Sequence, residues 1–328
     1  MQGSDIASPL ENELAWANWR ERLLAQFEDF SHGEQQTHLY LVVDSRANPG
    51  LDKLLAQVPG LAWASLWQDS VFESYVDIAP YLIRIDRTAF SESRDIQSRL
   101  VRRLWTQGRD VHALTWLWSA LPLDSLSKHL RHFSHYVTED RHEFFLHLYD
   151  NRILMRVLSV WTEGQARAFL SPCAQLWYVD RDLNEIVYCN PAPTVDIDIS
   201  GEQMLSVEQH KDLLRHGVPD KLAMQLRDMY GAILSDLSDA ALWHRVSDQI
   251  ERAATYRIPD EDLLIYVAKG LVISPAFDEH PFIQERLDRA ALGELTHREA
   301  LSNIDREVLI EVSRLHAKAT PFEGEPDQ

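Results

Sequence analysis

Tyr40-Leu-Val-Val-Asp44-Ser45-Arg46-Ala-Asn48-Pro49-Gly50-Leu-Asp-Lys-Leu-Leu55 is the stretch on which the fold turns. An apolar run with a β-branched pair ends at Asp44. A short polar loop follows, closed by Asn48-Pro49-Gly50, and an apolar-periodic segment begins at once. The pattern reads as strand, turn, helix. The loop holds one glycine, no lysine at a phosphate position and no Gly-x-Gly-x-x-Gly. Nucleotide phosphates need bare backbone to approach them, so neither a P-loop nor a dinucleotide-binding turn is present.

Outward from this unit the same alternation recurs. Strand patterns fall at Leu39–Asp44, Leu61–Trp67, Tyr81–Asp86, Leu114–Trp118, Phe144–Tyr149, Leu176–Val179 and Glu185–Tyr188. Helical patterns lie between several of them, at Leu51–Gln57, Ser93–Thr106, Leu123–Phe133 and Arg152–Thr162. A helix precedes the first strand over Leu10–Phe30, carrying Leu14, Trp16, Trp19, Leu23, Leu24 and Phe27. Asp180-Arg-Asp-Leu-Asn184 reads as a hairpin turn. The expected first domain, residues 1–200, is α/β, a mixed sheet of about six or seven strands with flanking helices.

Asn190-Pro191-Ala-Pro193-Thr-Val-Asp-Ile-Asp-Ile-Ser200-Gly201 breaks the pattern and reads as a linker or an edge strand. Beyond it every signal is helical, which predicts an all-α domain over 201–328. Ser206-x-x-Gln209 has capping-box spacing. Apolar stripes run through Leu222, Leu226, Met229, Tyr230, Ile233 and Leu234; through Leu242, Val246 and Ile250; and through Leu263, Leu264, Val267 and Leu271. A last stripe holds Leu301, Ile304, Val308, Leu309, Val312 and Leu315. Pro259-Asp260-Glu261-Asp262 puts acids at the positive end of a helix. Residues from about 321 onward read as a disordered tail.

The chain has 328 residues, 45% hydrophobic and 25% charged, enough for two cores. Its net charge is −19, with 27 acidic against 18 basic residues through position 201 and 24 against 14 beyond it. An acidic surface spread over both halves repels nucleic acid and anionic lipid, and suits solubility or a basic protein partner. The two cysteines, Cys173 and Cys189, form neither a disulfide framework nor a zinc motif. Without a basic-apolar leader or a run of the ~20 apolar residues a membrane span needs, the expected location is cytoplasmic.

The search for chemistry finds little. Five of the fourteen histidines fall between His129 and His147, but no His-Glu-x-x-His occurs and no cysteine is near, so no metal or other cofactor is expected. There is no Gly-x-Ser-x-Gly and no activated cysteine. Asp44 and Asp150, each at the end of a strand pattern, are candidates to meet at a sheet edge, where paired carboxylates can bind magnesium or serve as acid and base. Arg131 and Arg152 follow the same kinds of element, and structural ion pairs are the stronger reading. The C-terminal stripes fit a domain core, or a groove that holds another chain's helix.

Three stretches taken together resemble a known family. They are Tyr40-Leu-Val-Val-Asp44-Ser-x-x-Asn48-Pro49-Gly50-Leu51, Ala79-Pro80-Tyr-Leu82, and His129-Leu130-Arg131 followed by Phe145-Leu-His147-Leu-Tyr149-Asp150-Asn151-Arg152-Ile-Leu154. Phe169-Leu-Ser-Pro172 follows at a fitting distance. The chain is similar over about residues 38 to 172 to the adaptors, or effector chaperones, of bacterial type VI secretion. His147 stands where the family usually has arginine, and Asn151 where it usually has proline. The resemblance implies a non-catalytic adaptor that binds a cognate effector, loads it onto the VgrG spike and stays in the producing cell. It makes Asp44, His129, Arg131, Asp150 and Arg152 structural signature residues. The loop of Ser45, Arg46, Asn48, Pro49 and Gly50 becomes the candidate spike-binding surface, and the helical domain the candidate cargo-binding part. The alternatives are a metal-dependent hydrolase using Asp44, Asp150 and the histidine cluster, or a scaffold unrelated to secretion.

Overall fold

The structure is a computed structural model describing residues 9–31, 36–302 and 304–319. The Leu315 side chain and the tail from about 321 lie outside the described residues. The chain forms two compact units, Met1–Leu214 and Arg215–Gln328. The junction expected at 200/201 thus falls inside the first unit.

The first unit contains α1 (Pro9–Ser31), β1 (His38–Val43), α2 (Leu51–Ala56), β2 (Ala62–Ser65), β3 (Tyr81–Ile85), α3 (Arg87–Ser91), α4 (Ile96–Gly108) and β4 (Leu114–Ser119). It continues with α5 (Leu123–Phe133), β5 (His135–Thr138), β6 (Glu143–Phe145), α6 (Asn151–Val160), α7 (Glu163–Leu170), β7 (Cys173–Val179), β8 (Glu185–Cys189), β9 (Met204–Leu205) and α8 (Val207–Arg215). The fold class is as expected, a sheet with flanking helices followed by a helical region. The six-stranded sheet has the order β2-β3-β1-β4-β7-β8, and all its pairs are antiparallel. A small second sheet, β6-β5-β9, carries one parallel pair, between β5 and β9.

Strand alternation sorts the core into two layers. On one face Trp116 and Trp118 of β4 and Trp177 of β7 receive Trp19, Phe27 and Phe30 of α1, with ring centroids 4.7–5.9 Å apart. Trp16 of the same helix meets Phe90 of α3 and Trp105 of α4. On the opposite face Val42, Leu117 and Leu176 meet Leu130, Leu154 and Phe169 of α5, α6 and α7. All six residues of β4 are buried because both faces are covered. Most of the tryptophans are therefore core anchors. Leu14, included in the apolar stripe of α1, is 64% exposed.

Several elements differ from the sequence reading. The strand expected over Phe144–Tyr149 ends at Phe145, since the chain must turn for Asp150 to cap α6. The short β5 and β9 and helices α3 and α7 carry too few residues to show a period. The segment 190–201 has no regular structure, yet it is tied down. The Asn190 and Thr194 N–H groups donate to Ala174 and Ser171 carbonyls, and Ile197 packs on the core. The turn at Asp180–Asn184 is present, with Asp180 accepting from the backbone of Asp182 and Asn184. So is the reciprocal Ser206–Gln209 capping pair.

The second unit contains α9 (Val218–Leu234), α10 (Asp239–Thr255), α11 (Asp260–Val272), α12 (Pro281–Ala291), α13 (His297–Leu301) and α14 (Arg306–Ala319). Its core takes one or more residues from each apolar stripe, among them Leu226, Val246, Val267, Leu301 and Val312. A buried Asp278 ties the packing together. It accepts from Arg252 and from the Tyr266 hydroxyl at 2.7 Å. α9 bends at Tyr230, whose backbone leaves the helical region just before Gly231.

Candidate functional site

β1 and the loop before α6 bring together two copies of one local device. At the end of β1, Asp44 accepts the backbone N–H of Arg46 (3.0 Å), and Arg46 Nε returns to both carboxylate oxygens at 3.0 Å. At the start of α6, Asp150 accepts the backbone N–H of Arg152 (3.0 Å). Arg152 Nε and Nη2 return to its oxygens at 3.0 and 2.8 Å. Each aspartate caps a helical turn and neutralises the arginine two residues on. Arg46 joins the two, reaching Asp150 Oδ2 at 3.3 Å. Asp44 and Asp150 are buried, while Arg46 is 37% exposed at its side chain.

The electrostatics follow from this pairing. Burial pushes the Asp150 carboxyl up, but the hydrogen bonds and charge of Arg152, with the charge of Arg46, hold it net below the usual carboxylate range. Arg46 loses hydration, and Asp44 more than restores its charged state. Its guanidinium lies 5.6 Å from the Tyr149 ring centroid. The Tyr149 hydroxyl accepts from Trp67 Nε1 at 3.1 Å and bonds His147 Nδ1. Burial first, then the charge of Arg46, holds His147 below its ordinary pKa and hence neutral.

Asn151, where the family that the chain resembles usually has proline, has a physical role of its own. A proline at the first helical position brings a preset φ and lacks an N–H that is usually spare there. Here Asn151 uses that N–H, donating to the His112 carbonyl at 3.0 Å. Its side chain accepts from Thr115 Oγ1 at 2.7 Å and donates to the Leu114 carbonyl at 3.1 Å. Asn151 thereby fastens α6 to β4.

The other singled-out residues are dispersed. Ser45, read as part of an exposed loop, is fully buried and donates its hydroxyl to the Ala79 carbonyl. It cannot face a partner. The accessible part of the loop is Arg46 to Gly50, with Ala47 exposed beside the expected Arg46, Asn48, Pro49 and Gly50. Asn48 donates to Gln107, and Gly50, at φ +83°, starts α2 and donates to the Asp77 carbonyl. Arg131 does not reach the aspartate cluster, but holds the Gln68 carbonyl and Asp69 at 2.9 and 3.1 Å. His129 is buried between Phe133 and Phe169, with Nε2 2.8 Å from the Phe169 carbonyl oxygen. The remaining histidines of the group go separate ways, His132 to Gln203, His135 to the Arg131 carbonyl and His142 to Asp140.

The hydrolase alternative required Asp44, Asp150 and histidines around one centre. The two carboxylates do come together, but guanidiniums occupy them; of the histidine group His147 lies close enough to feel Arg46 yet bonds Tyr149, and His129, His132, His135 and His142 go elsewhere. Among the described residues no group of three or more His, Cys, Asp or Glu could hold a metal ion. Among the same residues no helix is long and apolar enough to cross a membrane. The partners missed from sequence are Trp67, Tyr149 and Asn151. The available signal was the repeated Asp-x-Arg, at Asp44-Ser-Arg46 and Asp150-Asn-Arg152, each at the start of a helical turn.

A family model described as "Domain of unknown function (DUF4123)" matches residues 39–168. The match runs from the start of β1 to α7 and so contains both Asp-x-Arg devices. No curated protein and no solved structure matches the chain.

Proposed function

We propose that this chain is an adaptor that binds a type VI secretion effector in the cytoplasm of the producing cell and loads it onto the VgrG spike. The observation that carries the reading is the family-model match over residues 39–168, the segment through which the chain resembles such adaptors. The geometry is compatible with binding rather than turnover, since both carboxylates that could do chemistry are neutralised by arginine. Arg46, backed by Asp44, Asp150 and Tyr149 and flanked by Asn48, Pro49 and Gly50, is the spike-facing surface in this reading. Its Nε and Nη2 hold Asp44 and Asp150 while part of the guanidinium stays in water, so in this reading Nη1 donates to a carboxylate or carbonyl oxygen of the partner. The helical unit is the cargo side.

The test is co-purification of the full-length chain with the effector and the spike protein encoded beside its gene. Capture of both, with Arg46→Ala losing the spike and keeping the effector, is expected. Failure to capture either, together with divalent-metal-dependent hydrolysis by the purified chain, would overturn the adaptor reading.

A further inference from the structure

A groove runs between α9 and α11 of the second unit. Its walls are apolar, with Met229 and Tyr230 from α9 and Leu264, Ala268 and Val272 from α11, and Lys269 is its one charged lining residue. Met229 is 57% exposed, and Ile233, one turn further along α9, is 60% exposed. Large apolar side chains this open, one lining the groove and the other a turn beyond it, are the mark of an interaction surface. Methionine's unbranched, polarisable chain adapts to whatever packs on it. The bend at Tyr230 belongs to the same wall.

Charge decides the occupant. The chain is strongly acidic, and Asp228 and Glu261, on the two helices that form the groove, are exposed. Inside the groove the sign reverses. Lys269 is half-buried, and no ion pair to it is found among the described residues. Burial lowers its pKa, as for an ammonium group that has lost water without gaining a counter-charge. A carboxylate arriving on an apolar surface would restore that charge, while a lysine at the same place would meet a like charge in a partly dry site.

Resting on the adaptor reading above, we propose that the α9–α11 groove receives an amphipathic helix of the cargo. The apolar face of that helix carries one Glu or Asp that pairs with Lys269, and its outer face is basic. The apolar anchors supply the burial, Lys269 sets the register, and the acidic rim attracts the basic outer face. A wholly acidic helix is repelled by the rim. A helix with lysine at the central apolar position is rejected by Lys269.

The test uses the full-length chain and three fluorescein-labelled 18-residue helical peptides with a leucine face and a lysine-rich outer face. They differ only in the central residue of the apolar face, which is Glu, Gln or Lys. Anisotropy titration should rank them Glu, Gln, Lys, with about a ten-fold span in Kd from first to last. Lys269→Glu should invert the order. Lys269→Met, a milder change in case the charge reversal impairs folding, should abolish the preference for Glu over Gln. Met229→Ser should weaken all three alike. Three peptides of equal affinity, or an order unchanged in Lys269→Met, would overturn the proposal. So would a wild-type dimer in light scattering that Met229→Ser converts to monomer, because a second copy would then fill the groove. Effector capture by full-length protein is measured separately, so adaptor function can stand while the groove assignment falls, and the reverse.

Discussion

Asp150 engages four donors, the backbone N–H and two side-chain nitrogens of Arg152 and one nitrogen of Arg46. Its removal uncaps α6, at roughly 0.5–2 kcal/mol, and frees charge-assisted hydrogen bonds worth roughly 1.5–3 kcal/mol. The arginines are about one-third exposed and rehydrate, so the full cost of an orphaned buried charge does not apply. Asp150→Ala should therefore lose about 2–4 kcal/mol in urea unfolding, with soluble yield falling before any selective loss of binding. An unchanged melting curve with lost partner binding would contradict this. Asn151→Pro introduces the residue usual in the family the chain resembles but strands the His112 and Leu114 carbonyls and the Thr115 hydroxyl. A loss of about 2–3 kcal/mol is expected, and a gain in melting temperature would show that the preset φ outweighs the three bonds. The buried histidines add a pH dependence. Burial, as the largest cause in each case, lowers the pKa of His112, His129 and His147. Unfolded, each would titrate near 6.5. Below that pH the unfolded chain gains protons that the folded chain refuses, so stability falls as pH drops. The depressed Asp150 carboxyl acts in the same direction, but only below about pH 4. The urea midpoint should be lower at pH 5.5 than at 7.5, and His129→Phe should shrink the difference. A midpoint that rises toward pH 5.5 would refute the neutral assignment.

At the scale of elements, close backbone approaches are as informative as side-chain contacts. A Cβ at Gly270 of α11 would lie 2.0 Å from Gln249 Oε1 of α10. Gln249 is buried and its Nε2 donates to the Pro275 carbonyl at 2.8 Å, so it cannot yield without breaking that bond. Gly270→Ala should destabilise the helical unit by about 1–3 kcal/mol through overpacking, although alanine is the better helix former. Circular dichroism melts of wild type and variant measure it, and a neutral result would mean that α10 and α11 slide apart freely. Element type was legible where the apolar period was long. α5 occupies the expected residues, Leu123–Phe133, because Leu126, Leu130 and Phe133 recur at helical spacing. The strand predicted over Phe144–Tyr149 failed for the opposite reason. Alternation continues through Leu146 and Leu148, but those side chains enter the core from a turn, and six residues of alternation do not distinguish the two.

At the scale of the molecule, the proline-rich stretch 190–201 looked like a junction because its composition is that of a linker. Its backbone and Ile197 are instead held by the first unit, and β9 beyond it pairs with β5. A fragment 1–200 would strip β9 and α8 from that unit, removing the buried Leu205 and Leu213 and uncovering the core surface they pack against. Residues 1–214 and 215–328 should each give a cooperative melt when expressed alone, whereas 1–200 should aggregate or melt without cooperativity. Limited proteolysis that cuts first within 190–201, leaving a stable 1–200 core, would contradict that division.

What the sequence determined by itself was local. Periodicity placed most helices and strands, the Asp180–Asn184 turn and the Ser206–Gln209 cap, because each depends on residues within one or two turns of one another. It also marked Asp44 and Asp150 as strand-end or helix-start acids beside arginines. Tertiary structure alone decided which arginine links the two aspartates. Arg46 spans to Asp150 across 104 positions, while Arg131, expected to be a structural ion-pair partner like Arg152, turns to Asp69. It decided too that Ser45 points inward and that Lys269 sits in an apolar groove with no ion pair among the described residues. Such pairings depend on how sheet order and helix packing bring distant segments together, and a one-dimensional period carries no information about that distance.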